Sequence, residues 1–365
     1  MKSDIGTDTI TPAQLAVLGF TGLLSPLIWQ MPHAATQTAG KAAVFSPLFA
    51  LPLLGVILFF AFAFLKARRE NEGLADIILR CLGKKAGKAV CLIILLWLVF
   101  YSGMMLRAGC ERFLSTIFTD GNLFVFMVVT LILALLGGLG RVRNLASSSQ
   151  LFFRLISFVL VAIFLFTLPE ISKYNLLPYT SAHILPAAEG GAALACSLTP
   201  AFYVLFLSSH LSGGKSAKAL VALLSVFMVV ISFLIIITIV GNFGADFANT
   251  MQNPFFIMIR NIRIFNITER VEAVVVAMWV LTDFIFLASM LISSGKLTLA
   301  VAPRANRKAA VLLCALAVFL VGLFSGQDAF TFLRLSRTVC PLGNAAVVFL
   351  LLPMVYFIGK IRRKL

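Results

Sequence analysis

Between Lys218 and Asp246 the chain carries no charged residue at all. Runs of this kind recur from end to end, each long enough at 1.5 Å per residue to cross a hydrocarbon layer about 30 Å thick. Of 365 residues, 61% are hydrophobic and only 12% charged, with a mean hydropathy of +1.03. A soluble domain of this length needs a polar skin that these residues do not supply. A soluble enzyme, a secreted disulfide scaffold and a disordered chain are therefore excluded together. The runs are continuous rather than alternating, which argues against a membrane β-barrel. The fold class is an all-α polytopic membrane protein.

The hydropathy pattern predicts ten transmembrane helices, at about 12–38, 44–66, 88–108, 122–140, 149–168, 190–211, 217–241, 269–295, 308–325 and 338–359. The loops between them are short, so residues 1–365 read as a single transmembrane domain. With the N-terminus placed in the cytoplasm, twenty Lys and Arg residues fall on the cytoplasmic side and nine on the other, while Arg154 lies within a span. That bias predicts that both termini are cytoplasmic. It also accounts for the net charge of +16 without nucleic acid, for which the sequence has no aromatic-interleaved basic groove. The first apolar run continues into a full span, so no cleavable leader is expected. Six scattered cysteines show no metal spacing. Cys110 and Cys340 fall near the same predicted face, with no spacing that signals a disulfide. No nucleophile–base pair, metal motif, cofactor motif or phosphate loop is present, and the expected role is not enzymatic.

Two connections carry helices of their own. In residues 70–82, Leu74, Ile77, Ile78 and Cys81 share one helical face, which predicts a short interfacial helix. Residues 255–265, introduced by Asn253-Pro254, read the same way on the opposite side. These helices occupy matching places in two halves, and a second match lies in the spans. Span one contains Leu24-Ser25-Pro26-Leu27-Ile28-Trp29, and span six contains Leu198-Thr199-Pro200-Ala201-Phe202-Tyr203. Each reads leucine, hydroxyl residue, proline, two apolar residues and an aromatic. Five spans per half is an odd number, so the halves (about 12–168 and 190–359) must enter the membrane in opposite senses. The expected architecture is a 5+5 inverted repeat whose helices 1 and 6 are discontinuous.

A break at mid-membrane leaves backbone groups unpaired, and these are tolerated only beside a cavity. Freed carbonyls suit an ammonium and half-helix N-termini suit a carboxylate, so an amino-acid zwitterion fits. The candidate substrate-binding residues are Thr21, Gly22, Ser25, Pro26 and Trp29 in span one, with Ser197, Thr199, Pro200, Phe202 and Tyr203 in span six. The plainer reading is a pair of proline kinks packed by aromatics. Asp283, central in span eight, is a candidate coupling site, because a carboxylate at that depth is costly unless it serves a polar interior. Ser289 and Ser293, four residues apart on span eight, are candidate cation ligands, although such hydroxyls commonly bond backbone. Arg154 is expected to snorkel to the interface. His33 and His210 lie near the ends of the breaks and could titrate, or simply pack. Arg107 and Glu111 are spaced for an i,i+4 pair.

Several stretches resemble one family. Ile10-Thr11-Pro12-Ala13-Gln14-Leu15, Leu185-Pro186, Gly190-Gly191, and above all Arg260-Asn261-Ile262-Arg263-Ile264 through Glu269-Arg270-Val271-Glu272-Ala273 to Trp279 are similar to the GerAB-type B subunit of spore nutrient-germinant receptors. The resemblance covers nearly the whole chain. It implies a LeuT-like fold of the amino acid–polyamine–organocation superfamily and a sensor of amino acids or similar nutrients. It also implies A and C subunits as partners at the spore inner membrane. In some superfamily members a basic residue on span five resembles a substitute for a bound sodium ion, a role that Arg154 would take, near Asp283. Members often carry a Glu in the inner half of span six and a Lys in span eight. This chain has Val204 through His210 without a carboxylate, and Asp283. A stand-alone, proton- or cation-coupled amino-acid transporter of the same fold is the alternative, and a scaffold for the other subunits is a third reading.

Overall fold

The computed structural model describes residues 8–118, 120–177, 179–212, 217–251, 253–260, 271–326 and 329–365. Its elements run α1 (Pro12–Ala39), a 3-10 turn (Gly40–Phe45), α2 (Ser46–Ala67), α3 (Leu74–Leu82), α4 (Lys84–Thr116), α5 (Leu123–Leu139) and α6 (Val142–Thr167). The second half runs α7 (Lys173–Leu176), α8 (Ile184–Leu198), a long 3-10 segment (Thr199–His210), α9 (Lys218–Phe243), α10 (Ala245–Thr250), α11 (Pro254–Arg260), α12 (Val271–Val301) and α13 (Arg307–Phe324). It closes with α14 (Ala329–Arg334), α15 (Cys340–Ala345) and α16 (Leu352–Ile361), joined through two π turns. Among the described residues, eight helical segments are long and apolar enough to cross a membrane. One of them, Pro12–Ala67, comprises both α1 and α2, and α5 is a shorter apolar helix of the same character.

The bundle is inside-out relative to a soluble protein. Phe158, Phe324 and Leu350 are 75%, 74% and 70% exposed, a surface that only lipid covers without cost. The most enclosed segments are Ser181–His210 and α12, whose most apolar windows are 78% and 72% buried. α1 packs on both α8 and α12, and α4 packs on α12 and α13. α1, α4, α8 and α12 form the centre of the fold, and the outer helices wrap them.

Local chemistry sets the boundaries. α1 begins with a capping box, in which Thr11 accepts from the Gln14 amide at 3.2 Å and Gln14 accepts from the Thr11 amide at 2.9 Å. Pro12 stands at the first helical position, where no donor is needed. α3 is the short helix anticipated from its spacing, with Leu74, Ile77, Ile78 and Cys81 at most 1% exposed. Gly83 turns the chain from α3 into α4 at φ +85°, a region closed to most side chains. α11 begins at Pro254, but residues 261–270, which hold the rest of that expected helix and much of the Arg260–Trp279 motif, lie outside the described residues. So do Lys2 and Lys215.

Helix 1 corrects one expectation. α1 is continuous through both Pro26 and Pro32, whereas the change of helix type falls in span six, where α8 gives way at Thr199 to 3-10 turns. A proline inside a helix deletes one donor and leaves the other helical bonds possible, so α1 is left with carbonyls lacking helical donors at Gly22 and Ile28. In span six Pro200 has the same defect, and it is repaired locally. The Cys196 carbonyl accepts the Thr199 amide, and the Thr199 hydroxyl donates to it at 2.6 Å.

Both described chain ends lie at one face of the bundle. Arg362 donates to the carbonyls of Cys81 and Leu82 at 3.5 and 3.2 Å, and Gly73 at the start of α3 adjoins the Phe206 carbonyl. Ile10 pairs as a parallel bridge with Leu211, just beyond the 3-10 segment. The two halves of the core also meet closely at α8. A Cβ on Gly191 would stand 2.6 Å from Phe49 Cβ and 2.8 Å from the Ser46 carbonyl on α2. Gly191→Leu is therefore expected to cost about 1–3 kcal/mol by overpacking. The check is the thermal unfolding of the purified protein in mild detergent, where an unchanged midpoint would contradict the α2–α8 contact.

Candidate functional site

At the centre of the bundle, α1, α4 and α12 converge on one buried ion pair. An Arg112 guanidinium nitrogen lies 2.6 Å from Asp283 Oδ2, and the same nitrogen donates to Ser25 Oγ at 2.7 Å. The side chains of Arg112 and Asp283 are 3% and 16% exposed, so the pair is held away from solvent but Asp283 is not sealed. Arg112 also stacks over the Trp279 ring, with its central carbon 4.9 Å from the centroid. Gly109 makes the approach possible, since a Cβ there would stand 2.7 Å from Asp283 Oδ2. Among the described residues the Trp279 indole nitrogen is buried with no hydrogen-bond partner. The cluster thus offers one cation, one anion, one hydroxyl and one unused N–H donor, one turn from the Gly22 carbonyl of α1, which Pro26 leaves without its helical donor.

A second polar cluster lies where span six meets the last span. Trp97 Nε1 donates to Asn344 Oδ1 at 2.9 Å and lies 3.1 Å from the Tyr203 hydroxyl, which itself donates to Asn344 Oδ1 at 2.8 Å. Tyr203 is fully buried, and its backbone carbonyl accepts from Ser293 Oγ at 3.2 Å, tying α12 to the 3-10 segment. Toward the face away from the chain ends, Arg107 pairs with Glu111 at 2.7 Å, as its spacing predicts, and donates to the Gly326 carbonyl at 2.6 Å. It also covers the Phe332 ring at 4.9 Å, and Phe332 stacks on Trp29 at 6.4 Å.

With this geometry in hand, the chain can be compared with known proteins. A family model described as spore germination protein, Spore_permease, matches residues 9–329. The chain belongs to the spore germination protein family. No curated protein sequence matches it. Among solved structures it is similar to Mhp1, a nucleobase-cation-symport-1 family transporter in a closed conformation with bromovinylhydantoin bound, with a TM-score of 0.67 at 13% identity over 96% of this chain and 78% of that one. It is also similar to MhsT in complex with L-phenylalanine, with a TM-score of 0.63 at 13% identity over 95% and 97% of the two chains. A Na+-coupled sialic acid symporter in a substrate-bound outward-open state gives 0.64 at 12% identity over 97% and 79%. At such identities the likeness shows the fold, which is the LeuT fold of membrane transporters.

Within this germination-family chain, the residues singled out from sequence separate into groups. Ser25 joins Asp283 through Arg112. Gly22 faces α12, where a Cβ would be 3.5 Å from the Phe286 backbone. Thr21 is buried and donates to the Val17 and Ser149 carbonyls at 2.7 and 3.3 Å, and Pro26 is buried in α1. In span six, Ser197 donates to the Ala193 carbonyl at 3.2 Å, Pro200 is buried, and Phe202 packs edge-on against Phe64. Ser289 donates to the Phe286 carbonyl at 2.7 Å. His33 is buried in α1, and His210 Nδ1 donates to the Asp8 carbonyl at 2.9 Å. All six cysteines are free thiols.

Two readings are corrected. Arg154 is exposed on α6, with Nε donating to its own helix at the Gln150 carbonyl, so it does not approach Asp283. Arg112, counted from sequence with the loop beyond span three, is the buried partner instead. The hydropathy drop after residue 108 hides it, because Arg107, Glu111 and Arg112 depress the average while α4 continues to Thr116. The positive charge expected from half-helix N-termini likewise comes from this side chain, since α1 runs unbroken through Pro26 and Pro32.

Proposed function

We propose that this chain is the nutrient-sensing membrane subunit of a spore germinant receptor, and that it binds an amino acid or similar zwitterion beside α1, where α4 and α12 meet it. The Ser25–Arg112–Asp283 cluster is the observation that carries this reading. A buried pair of opposite charges can exchange partners with a zwitterion, the ligand carboxylate moving onto Arg112 and its ammonium onto Asp283 and the freed Gly22 carbonyl. Arginine suits the first role because it stays charged and offers a planar fork of donors. The exchange replaces one α4–α12 tie by a ligand-mediated one, and a ligand that binds two arrangements of the bundle unequally shifts their populations. The signal then passes to A and C subunits, with no catalysis by this chain. The same reading has ten crossings in two inverted repeats, 12–168 and 190–359, with both termini cytoplasmic and the spore inner membrane as the location.

A coupled transporter remains the second reading, favoured by the transporter neighbours that match over 95–97% of the chain. Both readings are tested on the purified protein with an amino-acid panel, by thermal shift and then by affinity. One class of amino acid is expected to stabilise it, and Arg112→Gln to weaken that binding at least tenfold, about 1.4 kcal/mol. Equal stabilisation of Arg112→Gln and the parent would remove the site from this cluster. Uptake into liposomes by the chain alone would favour the transporter, and co-purification with A and C subunits without uptake the receptor.

A further inference from the structure

A cavity lies away from the ion pair, on the flank of the bundle. It holds about 1000 Å³ between the chain-end halves of α1, α2, the 3-10 segment, α9 and α16. Phe20, Phe62, Phe202, Leu205, Val221 and Tyr356 contribute its apolar walls. Phe59, another lining residue, is 59% exposed, so the groove opens sideways onto the lipid-facing surface. Four cations gather at its chain-end rim: Lys66 and Arg68 at the end of α2, Lys218 at the start of α9 and Lys360 near the end of α16.

None of these four charges is in an ion pair among the described residues, where the pairs are Arg80–Glu72, Arg107–Glu111, Arg112–Asp283 and His210–Asp8. Among the described residues no Asp or Glu side chain lines the groove, and C-terminal Leu365 lies at its edge. Arg68 is fixed in place by donating to the carbonyls of Ser208 and Leu211 at 3.1 and 3.4 Å. Cations at the rim with an apolar slot running from them toward mid-membrane match a molecule with an anionic head and a hydrocarbon tail. A soluble anion would leave the walls unused, and a neutral lipid would leave the cations unpaired.

The geometry points to a bound anionic phospholipid, its headgroup phosphate among Lys66, Arg68, Lys218 and Lys360 and an acyl chain in the groove. Basic pockets between membrane helices recognise such headgroups by close charge pairing, beyond the diffuse attraction of any basic surface. The two contributions separate experimentally. The full chain, purified in mild detergent, is titrated with phosphatidylglycerol or phosphatidylcholine, and retained lipid is counted by native mass spectrometry alongside thermal stability. Phosphatidylglycerol is expected to be retained with at least tenfold preference. Lys66→Gln/Lys218→Gln/Lys360→Gln is expected to weaken it at least tenfold. Lys84→Gln/Lys85→Gln/Lys88→Gln, which removes as many charges from the start of α4, is expected to weaken it less than twofold. Ala63→Trp, placed in the groove with every charge intact, is expected to reduce retention of both lipids. Equal losses in the two lysine triples would reduce the effect to surface potential and overturn the site. So would equal retention of both lipids, or a groove occupied by a second copy or an acidic protein with no lipid retained.

Discussion

Asp283→Ala is expected to lower the stability of the purified protein by about 3–5 kcal/mol, the cost of leaving a buried charge without its partner. Arg112 has no neutral form to retreat to, and its side chain is 3% exposed. Among the described residues, only Ser25 Oγ would remain to accept from it. Removing both charges is expected to cost less than removing one. Arg112→Gln/Asp283→Asn keeps hydrogen-bonding groups on α4 and α12 and strands no ion, so it should recover at least half of the loss. The parent, Arg112→Gln, Asp283→Asn and this double variant form a double-mutant cycle, read as thermal unfolding in detergent, and the coupling term isolates the pair. If Asp283→Ala and the double variant lose the same stability, Arg112 finds another partner and the ion pair does not hold α4 to α12. The cycle bears on function as well, because a zwitterion that swaps into the pair should stabilise the parent and leave the neutral double variant unmoved.

What sequence could show here follows from the range of the interactions involved. The spans were legible because hydropathy is a local sum. α3 was legible because Leu74, Ile77, Ile78 and Cys81 carry a helical period in nine residues. The change in span six was legible because Pro200 removes a donor wherever it stands. The continuity of α1 was not, since whether a proline ends, kinks or merely weakens a helix depends on what packs around it, and α1 lies against α6, α8, α9 and α12. The partner of Asp283 was not legible either. Arg112 lies 171 positions away, and no periodicity connects two helices that far apart in the chain. One signal was available: an intramembrane carboxylate needs a cation, and Arg112 is among the few basic residues adjoining a span rather than set in a loop.

The chain-end face gives the second large effect. Asp8 accepts from the amides of Val142 and Arg143 at 3.1 and 2.9 Å, capping α6 from outside that helix, and its carboxylate lies 3.6 Å from His210 Nδ1. Ile10 donates to the His210 carbonyl at 2.9 Å and accepts from the Ser212 amide at 3.0 Å. Residues 8–11 are thus strapped across the end of the 3-10 segment and the start of α6. Asp8→Ala removes the cap, worth about 1 kcal/mol by itself, together with the charge facing His210. In a protein carrying Ser208→Cys as reporter, where Ser208 is 2% exposed, thiol labelling is expected to rise on the order of tenfold or more. Asp8→Asn keeps one acceptor oxygen and should restore part of the protection. A Thr38→Cys reporter on the opposite face should label equally in both backgrounds, which separates local opening from general loosening. Labelling of Ser208→Cys that stays flat on loss of Asp8 would show that the strap rests on its backbone bonds alone. A rise confined to that reporter would make the segment before α1 the element that a germination-family bundle must release to open toward its chain-end face.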